Sequence, residues 1–332
     1  MPRPVTEEYS ELMHYTTASG IAGIVSSGCI WATHAAFLND AEEMKHFFDS
    51  RLPDICLPEV EKFANEKAQS PENTKMIAAQ GGLPQFIRLL AETLPAIIRK
   101  HTLAFNQPYI FSMCGTRDPL VSHSGLLSQW RGYGSDGGYA LVFDTSKFEE
   151  LLKLEGETFG YQHAVWGDVY YHGVDQVSQP STEDVAEYEA AVRTGIAKML
   201  EGGKAEEAEG FYEAISSLSC LYKHWGFREE HEVRVVAIPV DAEVARLSAA
   251  EGETKQQKPI KTFIRAGVPI PYIELFMPPD SKTSPARLPI KRVIIGPHNQ
   301  NGLRAQAVQR LLAANGYNDV EVVRSQIPYI GR

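Results

Sequence analysis

The chain has 332 residues and a formal net charge of −10, with 43% hydrophobic and 22% charged residues. This composition is that of an ordinary globular protein, with enough apolar residues for one large domain or two smaller ones. The negative charge argues against a broad electrostatic grip on duplex nucleic acid, although a small basic patch could still make local contact.

Sorting and redox features indicate a cytoplasmic protein with no membrane partner. The N-terminal stretch MPRPVTEEYSELMHYTT has no apolar core of signal-peptide length, and the sequence contains no run of about 18 apolar residues. The cysteines lie far apart and form no C-x-x-C motif. We therefore expect reduced, mostly buried thiols rather than disulfides or a metal site at Cys29, Cys56, Cys114 and Cys220.

The first predicted elements are short and well punctuated. A strand is predicted at Leu12 to Thr16, and Thr17 or Ser19 can cap the helix that follows it. Gly28 ends that helix, because glycine readily adopts the left-handed conformation of a C-terminal cap. A second short strand is predicted at Cys29 to Thr33.

Two segments have a helical residue pattern and little strand signal. The first follows a cap at Asp40 and extends over about 41–105, with a break at Gly81-Gly82 and a kink at Pro95. The second covers about 182–224. We interpret both as helical insertions into one domain of residues 1–332.

The remaining strands are predicted from β-branched and aromatic runs closed by turn residues. Because strands and helices do not alternate regularly, the pattern favours an α+β fold over a series of βαβ units. These strands are Tyr109 to Cys114, Tyr139 to Phe143, Ala164 to Tyr171, 232 to 240, Tyr272 to Met277, Arg292 to Ile295 and Val320 to Val323.

The first candidate for chemistry is the carboxylate pair Glu230 and Glu232, which opens a run that ends as a buried strand. On a strand, residues two apart share a face, and like charges there raise each other's pKa. Such carboxylates can act as a base or stabilise positive charge developing on a sugar carbon. The alternative is a solvated strand end where Arg234, on the same face, neutralises the pair.

The second candidate is His14, which precedes Tyr15 and Thr16 at the end of the first predicted strand. A histidine that leaves a strand just before a capped helix can present its ring to a ligand in that turn. The alternative is a core histidine bonded to a backbone carbonyl.

The third candidate is the cluster formed by Ser128, Trp130, Arg131 and Tyr133, which precedes a glycine-rich turn. Aromatic faces and a fixed guanidinium suit a flat heterocycle attached to phosphates. The alternative is a Trp and a Tyr that anchor a loop to the core. The Gly-x-Gly in this segment does not follow a strand, so a dinucleotide-binding Rossmann fold is excluded.

Taken in order, these segments resemble a bacterial family described only as a domain of unknown function. The resemblance covers nearly the whole chain. The matching segments are HYTTASGIAGIVSSGCIWATH, FLND at 37–40, SQWRGYG at 128–134, HWGFREEHEVR at 224–234, IIGP, and SQIPY at 325–329.

The same order resembles, more distantly, the ADP-ribosyltransferase fold in its His-Tyr-Glu form. That resemblance implies a split β-sheet core over residues 1–332 with the two helical insertions. It also implies that Glu232 acts on the ribose of NAD and that Glu230 acts on the acceptor. The NAD-binding residues that it implies are His14, Tyr15, Thr16, Tyr109, Phe111, Ser128, Trp130, Arg131 and Tyr133.

The function implied by the resemblance is an NAD-dependent ADP-ribosyltransferase that consumes NAD as substrate and needs no metal. The acceptor would be a protein or a nucleic acid, RNA or DNA, and the biological role that of a toxin or phage-defence effector with an antitoxin or regulatory partner. Two other classes stay open. One is a nucleotide-binding or sensor module without turnover, and the other is a metal-dependent hydrolase or nuclease that uses Glu230 and Glu232.

Overall fold

The computed structural model describes residues 4–38, 42–105, 107–133, 138–172, 183–204, 210–241, 255–278 and 286–329. Within these ranges the fold is α+β, as predicted, with a mixed sheet of eleven strands. The chain divides into two compact units. We call residues 35–108 and 170–227 the helical unit, and residues 3–34, 109–169 and 228–332 the sheet unit. In the described ranges, no helix combines the length and the apolar character needed to cross a membrane.

The strands are β1 (Glu11–Thr16), β2 (Ile30–His34), β3 (Tyr109–Gly115), β4 (Tyr139–Asp144), β5 (Phe159–Asp168), β6 (Tyr170–His172), β7 (Tyr222–His224), β8 (Glu232–Pro239), β9 (Gln256–Gln257), β10 (Ile260–Arg265), β11 (Val268–Leu275), β12 (Ile290–Ile295) and β13 (Glu321–Arg324). Strands β6 and β7 pair with each other in the helical unit.

The helices are α1 (Val5–Glu8), α2 (Ala18–Ser27), α3 (Glu42–His46), α4 (Leu52–Ala68), α5 (Pro71–Ala79), α6 (Leu83–Phe105), α7 (Pro119–Ser124), α8 (Leu127–Tyr133), α9 (Thr145–Thr158), α10 (Glu183–Leu200), α11 (Phe211–Leu221) and α12 (Asn301–Ala314). A π-helical turn at Phe47–Arg51 joins α3 to α4, and 3₁₀ turns occupy Ala35–Phe37 and Trp225–Glu230.

The helical unit has its own apolar core, to which α4, α6, α10 and α11 contribute. The predicted break at Gly81-Gly82 is confirmed, since it separates α5 from α6. Pro95 lies inside α6, which is continuous from Leu83 to Phe105. The predicted cap at Asp40 lies outside the described residues.

The sheet unit is built around β1 and β3, which pair with each other over a short length. The neighbouring strands follow the order β10-β11-β2-β3-β1-β4-β12-β13, and β3 also pairs with β8, which pairs with β5. β1 pairs with β4 along its whole length but with β3 only at Leu12 and Met13.

The sheet is split beside the second half of β1. On one side β3 pairs with β8 from Tyr109 to Cys114. On its other side β3 meets β2 at residues 109–110 and β1 at residues 114–115. Among the described strands, residues 111–113 have no ladder partner on that side. The gap between β1 and β2 therefore leaves a stretch of β3 backbone uncovered.

Side-chain alternation gives the sheet two distinct faces. We call the first the α9 face, because it packs against Phe148 of α9, with Leu12, Phe111, Val233 and Val235 among its buried residues. We call the second the α8 face, because it packs against Trp130 of α8, with Met13, Tyr15, Cys114 and Val142 among its buried residues.

Candidate functional site

The two glutamates of the predicted pair do not lie on one strand. The 3₁₀ turn ends at Glu230, and β8 begins at Glu232. His231 between them adopts a φ of 43°, in the left-handed region that a non-glycine residue enters at a cost of about 1–3 kcal/mol. The prediction that strand alternation places both carboxylates on one face is therefore wrong, since the strand period does not extend back to Glu230.

Glu232 forms a buried, bidentate ion pair with Arg234. The Arg234 Nε donates to Oε1 of Glu232 at 2.7 Å, and the Arg234 Nη2 donates to Oε2 at 3.0 Å. The side chains of Arg234 and Glu232 are only 4% and 7% exposed. The expectation that Arg234 shares a face with Glu232 is confirmed. Such a paired geometry favours the ionised carboxylate.

Both carboxylates act on the thiol of Cys114. Cys114 is the ladder partner of Glu232 across β3 and β8, so the two side chains lie on the α8 face. Burial raises the pKa of the Cys114 thiol to about 12, and the negative charges of Glu230 and Glu232 contribute to that rise. The thiol therefore stays protonated, and both carboxylates are close enough to Cys114 to act on its charge despite the break in the strand.

His14 lies at the split in the sheet. Its Nδ1 donates to the backbone carbonyl of Ser112 at 2.9 Å, across the uncovered stretch of β3. Its ring lies 4.4 Å from the ring of Phe111, centroid to centroid. This is the carbonyl-bonded arrangement that we weighed as the alternative for His14.

The protonation state of His14 follows from its surroundings. Burial lowers the pKa of its imidazole to about 4, so the ring is neutral at neutral pH. A carbonyl oxygen can only accept a hydrogen bond, and the proton therefore sits on Nδ1. The Nε2 atom is left with a lone pair that can accept a hydrogen bond from a ligand.

Tyr15 and Trp130 are packed in the core of the α8 face. The Tyr15 hydroxyl accepts from the backbone N–H of Leu126 at 2.8 Å, and its ring meets Trp130 edge-on at 4.8 Å. Trp130 is fully buried, and its indole N–H donates to the Ser124 carbonyl at 3.0 Å. A Trp130 ring without exposed area can stack on a ligand only if α8 moves.

The other predicted ligand-binding residues are scattered around the same two faces. Thr16, Tyr109 and Phe111 are buried. Ser128 has a buried hydroxyl without a hydrogen-bond partner. Arg131 is exposed, with its guanidinium 5.3 Å from the ring centroid of Tyr329. The structure does not describe the side chain of Tyr133, which ends α8.

The structure thus forms two groups from the predicted site residues. His14 and Phe111 lie together on the α9-face side of the split. Glu232 and Tyr15 lie on the α8 face, where Cys114 and Trp130 also pack. A ligand could reach both groups only by lying in the split itself, because elsewhere the continuous sheet separates the two faces.

Asp168 is a titratable residue near the site that the sequence analysis did not select. Its Oδ1 accepts from the Tyr9 hydroxyl at 3.1 Å, and burial raises the pKa of its carboxyl to about 6. It is the ladder partner of Val233, and the carbonyl of Glu232 accepts from the next residue, Val169. Its position within the predicted strand Ala164 to Tyr171 was the only signal in the sequence. No group of three or more His, Cys, Asp or Glu residues able to hold a metal ion occurs in the described ranges.

Comparison with known proteins identifies one family. Residues 129–235 match the sequence model of a family described as Protein of unknown function (DUF2971). The matched segment begins just before Trp130 and ends just after Arg234. It therefore contains Trp130 and Glu232 of the α8 face, whereas Tyr15 of β1 and Cys114 of β3 lie outside it. No curated protein and no solved structure matches the chain. The predicted resemblance to a family of unknown function is confirmed over residues 129–235, where the chain is similar to DUF2971.

Proposed function

We propose that the protein is an ADP-ribosyltransferase with an ADP-ribosyltransferase-like split core, and that NAD is its substrate. The observation that carries the proposal is the split sheet. His14 occupies the split, and the buried Glu232 opens β8, the strand on the other side of β3. A histidine in the second half of the first core strand and a glutamate at the start of a later one are the pair that the resemblance to the His-Tyr-Glu form implies.

In this proposal NAD lies in the split. The Nε2 atom of His14 accepts a hydrogen bond from a ribose hydroxyl, because its Nδ1 is already committed to Ser112. In the stretch of β3 beside the split, the backbone of Ser112 faces the ligand; its carbonyl already accepts from His14, and its N–H can donate to the ligand. Trp130 serves as an anchor for α8, in keeping with its full burial.

The reaction breaks the bond between C1′ of the ribose and the nicotinamide nitrogen, whose electron pair leaves with nicotinamide. The positive charge that develops on the ribose is stabilised by the carboxylate of Glu232, which Arg234 keeps ionised. An oxygen or nitrogen of the acceptor then bonds to C1′, and Glu230 takes the proton that the acceptor loses.

The test incubates the purified full chain with NAD, labelled separately in nicotinamide and in the adenylate phosphate, and with cell lysate. Wild-type protein should release nicotinamide and label an acceptor. Glu232→Gln should lose both activities, whereas Glu230→Gln should still release nicotinamide but lose most transfer. The matched control is Glu229→Gln, which removes an exposed charge from the same 3₁₀ turn and should behave as wild type.

Two outcomes would overturn the proposal. One is the absence of nicotinamide release and of labelled product from wild-type protein. The other is full activity of the Glu232→Gln variant. If the activity of the wild-type protein disappears when EDTA is added, the metal-dependent hydrolase is the better description.

A binding or sensor module is the second candidate, and the Glu232–Arg234 pair is the observation that favours it. A carboxylate that is buried and bonded twice to its own strand can serve the structure alone. Calorimetry with NAD and with ADP-ribose separates the two candidates, because a module binds one of them without releasing nicotinamide.

The toxin or phage-defence role belongs to the same proposal. If the chain consumes NAD or modifies an essential acceptor, its induced expression should slow bacterial growth. Expression of the Glu232→Gln variant at the same level should leave growth unchanged. Equal slowing by both chains would indicate an effect of overexpression rather than of catalysis.

A further inference from the structure

A cavity of about 250 Å³ opens on the α9 face of the sheet unit, away from Glu230 and Glu232. Its walls come from α9, β5, β8 and β11. Most of the lining is apolar, with side chains from Leu152, Trp166, Val235, Ala237 and Leu275. A predominantly apolar concavity with few polar groups is the usual form of a small-molecule site.

The cavity is kept open by small residues. Gly156 of α9 lines it, and a Cβ atom added there would meet no other atom within 4 Å. Ala164 of β5 also lines the cavity and is exposed. A glycine inside a helix costs about 1 kcal/mol relative to alanine, so this position gives up helix stability and leaves space instead.

The charged groups that line the cavity are paired, Lys153 with Glu149 at 2.8 Å and Glu155 with three other groups. The Glu155 carboxylate accepts from the Tyr161 hydroxyl at 2.5 Å and from the backbone N–H of Phe276 at 2.9 Å. It also forms an ion pair with the fully buried Lys258 at 2.5 Å. A charged ligand would lose its hydration here without gaining a free partner, so the lining favours an uncharged molecule.

A series of aromatic rings makes one wall flat and rigid. Trp166 stacks on Phe148 with centroids 6.0 Å apart and an angle of 25° between the ring planes. Phe148 in turn stacks on Phe111 at 6.4 Å and 18°. Because this stack fixes the orientation of the partly buried Trp166, the cavity presents a preformed planar surface.

From this geometry we propose that the cavity binds a small, uncharged, planar aromatic molecule. An apolar cavity of about 150 Å³ is known to hold a single benzene ring, and the larger volume here accommodates one or two fused rings. The site is separate from the proposed transfer of ADP-ribose, and binding can be measured without NAD.

The test titrates the full chain into 5-fluoroindole, whose ¹⁹F NMR signal reports binding directly. Wild-type protein should bind it saturably, and the anionic analogue 5-fluoroindole-2-carboxylate should bind about tenfold more weakly, since the nearby cations Lys153 and Lys258 are already paired with Glu149 and Glu155. Gly156→Leu fills the cavity with a side chain that replaces a helical glycine, and it should weaken binding of 5-fluoroindole by about tenfold or more.

Gly23→Leu is the matched control. Gly23 is also a helical glycine with nothing within 4 Å of an added Cβ, but it lies in α2 and does not line the cavity. This variant should bind as wild type. If Gly156→Leu fails to fold, Ala164→Leu tests the same space from β5. No saturable binding by wild-type protein, or equal binding by the filled and control variants, would overturn the proposal.

Discussion

Two buried carboxylates lie on opposite sides of the sheet, and they are held in different ways. On the α9 face, Glu155 joins α9 to Tyr161 of β5, to the backbone of Phe276 and to Lys258. On the α8 face, Glu232 pairs with Arg234 two residues along the same strand. The first carboxylate connects segments that are distant in sequence, whereas the bidentate pair of the second is local.

These different contacts suggest that Glu155 contributes to stability and that Glu232 contributes to a reaction. A carboxylate that ties several segments together is expected to contribute to folding, and its removal should loosen all of them. A carboxylate in a local pair, next to a backbone residue in the left-handed region, is expected to matter less for folding and more for a reaction.

The largest expected effect is on stability, at the α9 face. Lys258→Met removes the cation and leaves the buried charge of Glu155 without its ion-pair partner. Breaking a buried ion pair in this way costs about 3–5 kcal/mol, so the urea midpoint should fall strongly. Lys261→Met is the control. Lys261 is 44% exposed in its pair with Glu274, so its removal should lower the unfolding free energy by only about 0–1 kcal/mol. Equal losses in both variants would contradict the structural role of Glu155.

The next effect is on activity, at the α8 face. Glu232→Gln should lower the rate of nicotinamide release by about 10²- to 10³-fold. This is the range found when one preorganised group that stabilises a charged transition state is removed. The same variant should lose less unfolding free energy than Lys258→Met, because a glutamine side chain keeps an oxygen that can accept from Arg234, whereas methionine offers Glu155 no partner. If its stability falls further than that of Lys258→Met while its activity persists, Glu232 is structural and the comparison is reversed.

A smaller effect concerns the pH dependence of stability. Folding lowers the pKa of His14 from 6.5 to about 4, so between these values the unfolded chain binds the proton more tightly. Stability from this residue is therefore present above pH 6.5 and is lost as the pH falls towards 4. As the pH falls from 7 to 5, the His14→Gln variant should lose about 2 kcal/mol less unfolding free energy than the wild-type protein loses. His123→Gln, at an exposed position, should match wild type.

The smallest effect concerns the strained residue before β8. His231→Gly should raise the unfolding free energy by about 0.5–1 kcal/mol, because glycine adopts a φ of 43° without a steric penalty. His231→Ala is the comparison variant, since it removes the imidazole but keeps the strained backbone. If both variants have the same stability, the backbone at this position is not strained.

Local chemistry in the sequence predicted several elements correctly. The Thr17 side chain caps α2 by accepting from the Gly20 N–H at 3.2 Å, and Gly28 ends the helix with a φ of 66°. The buried strand β4 was also predicted, because a short continuous run of apolar and aromatic residues is typical of a buried strand. These features depend on residues a few positions apart, which is the range that a sequence pattern can report.

Other elements depended on contacts that the pattern does not contain. β10 was not predicted, because Ile260–Arg265 mixes apolar, polar and charged residues without a clear period of two, on a mostly exposed strand that pairs only with β11 among the described strands. The strand predicted at Ala164 to Tyr171 is instead β5 and β6, which pair with different strands. A strand ends where its partner ends, and the partner of β5 lies about 70 residues away in the sequence.

For the candidate site, the sequence determined which residues carry suitable chemistry, and tertiary structure decided their arrangement. The pairing of Arg234 with Glu232 could be read from a spacing of two, since both belong to β8. The left-handed His231 could not, and it removed Glu230 from the strand. The split beside His14 and the full burial of Trp130 arise only when β1, β3 and α8 come together. Spacing along the chain fixes a side chain's face within one strand, but only long-range pairing decides which faces and gaps become a site.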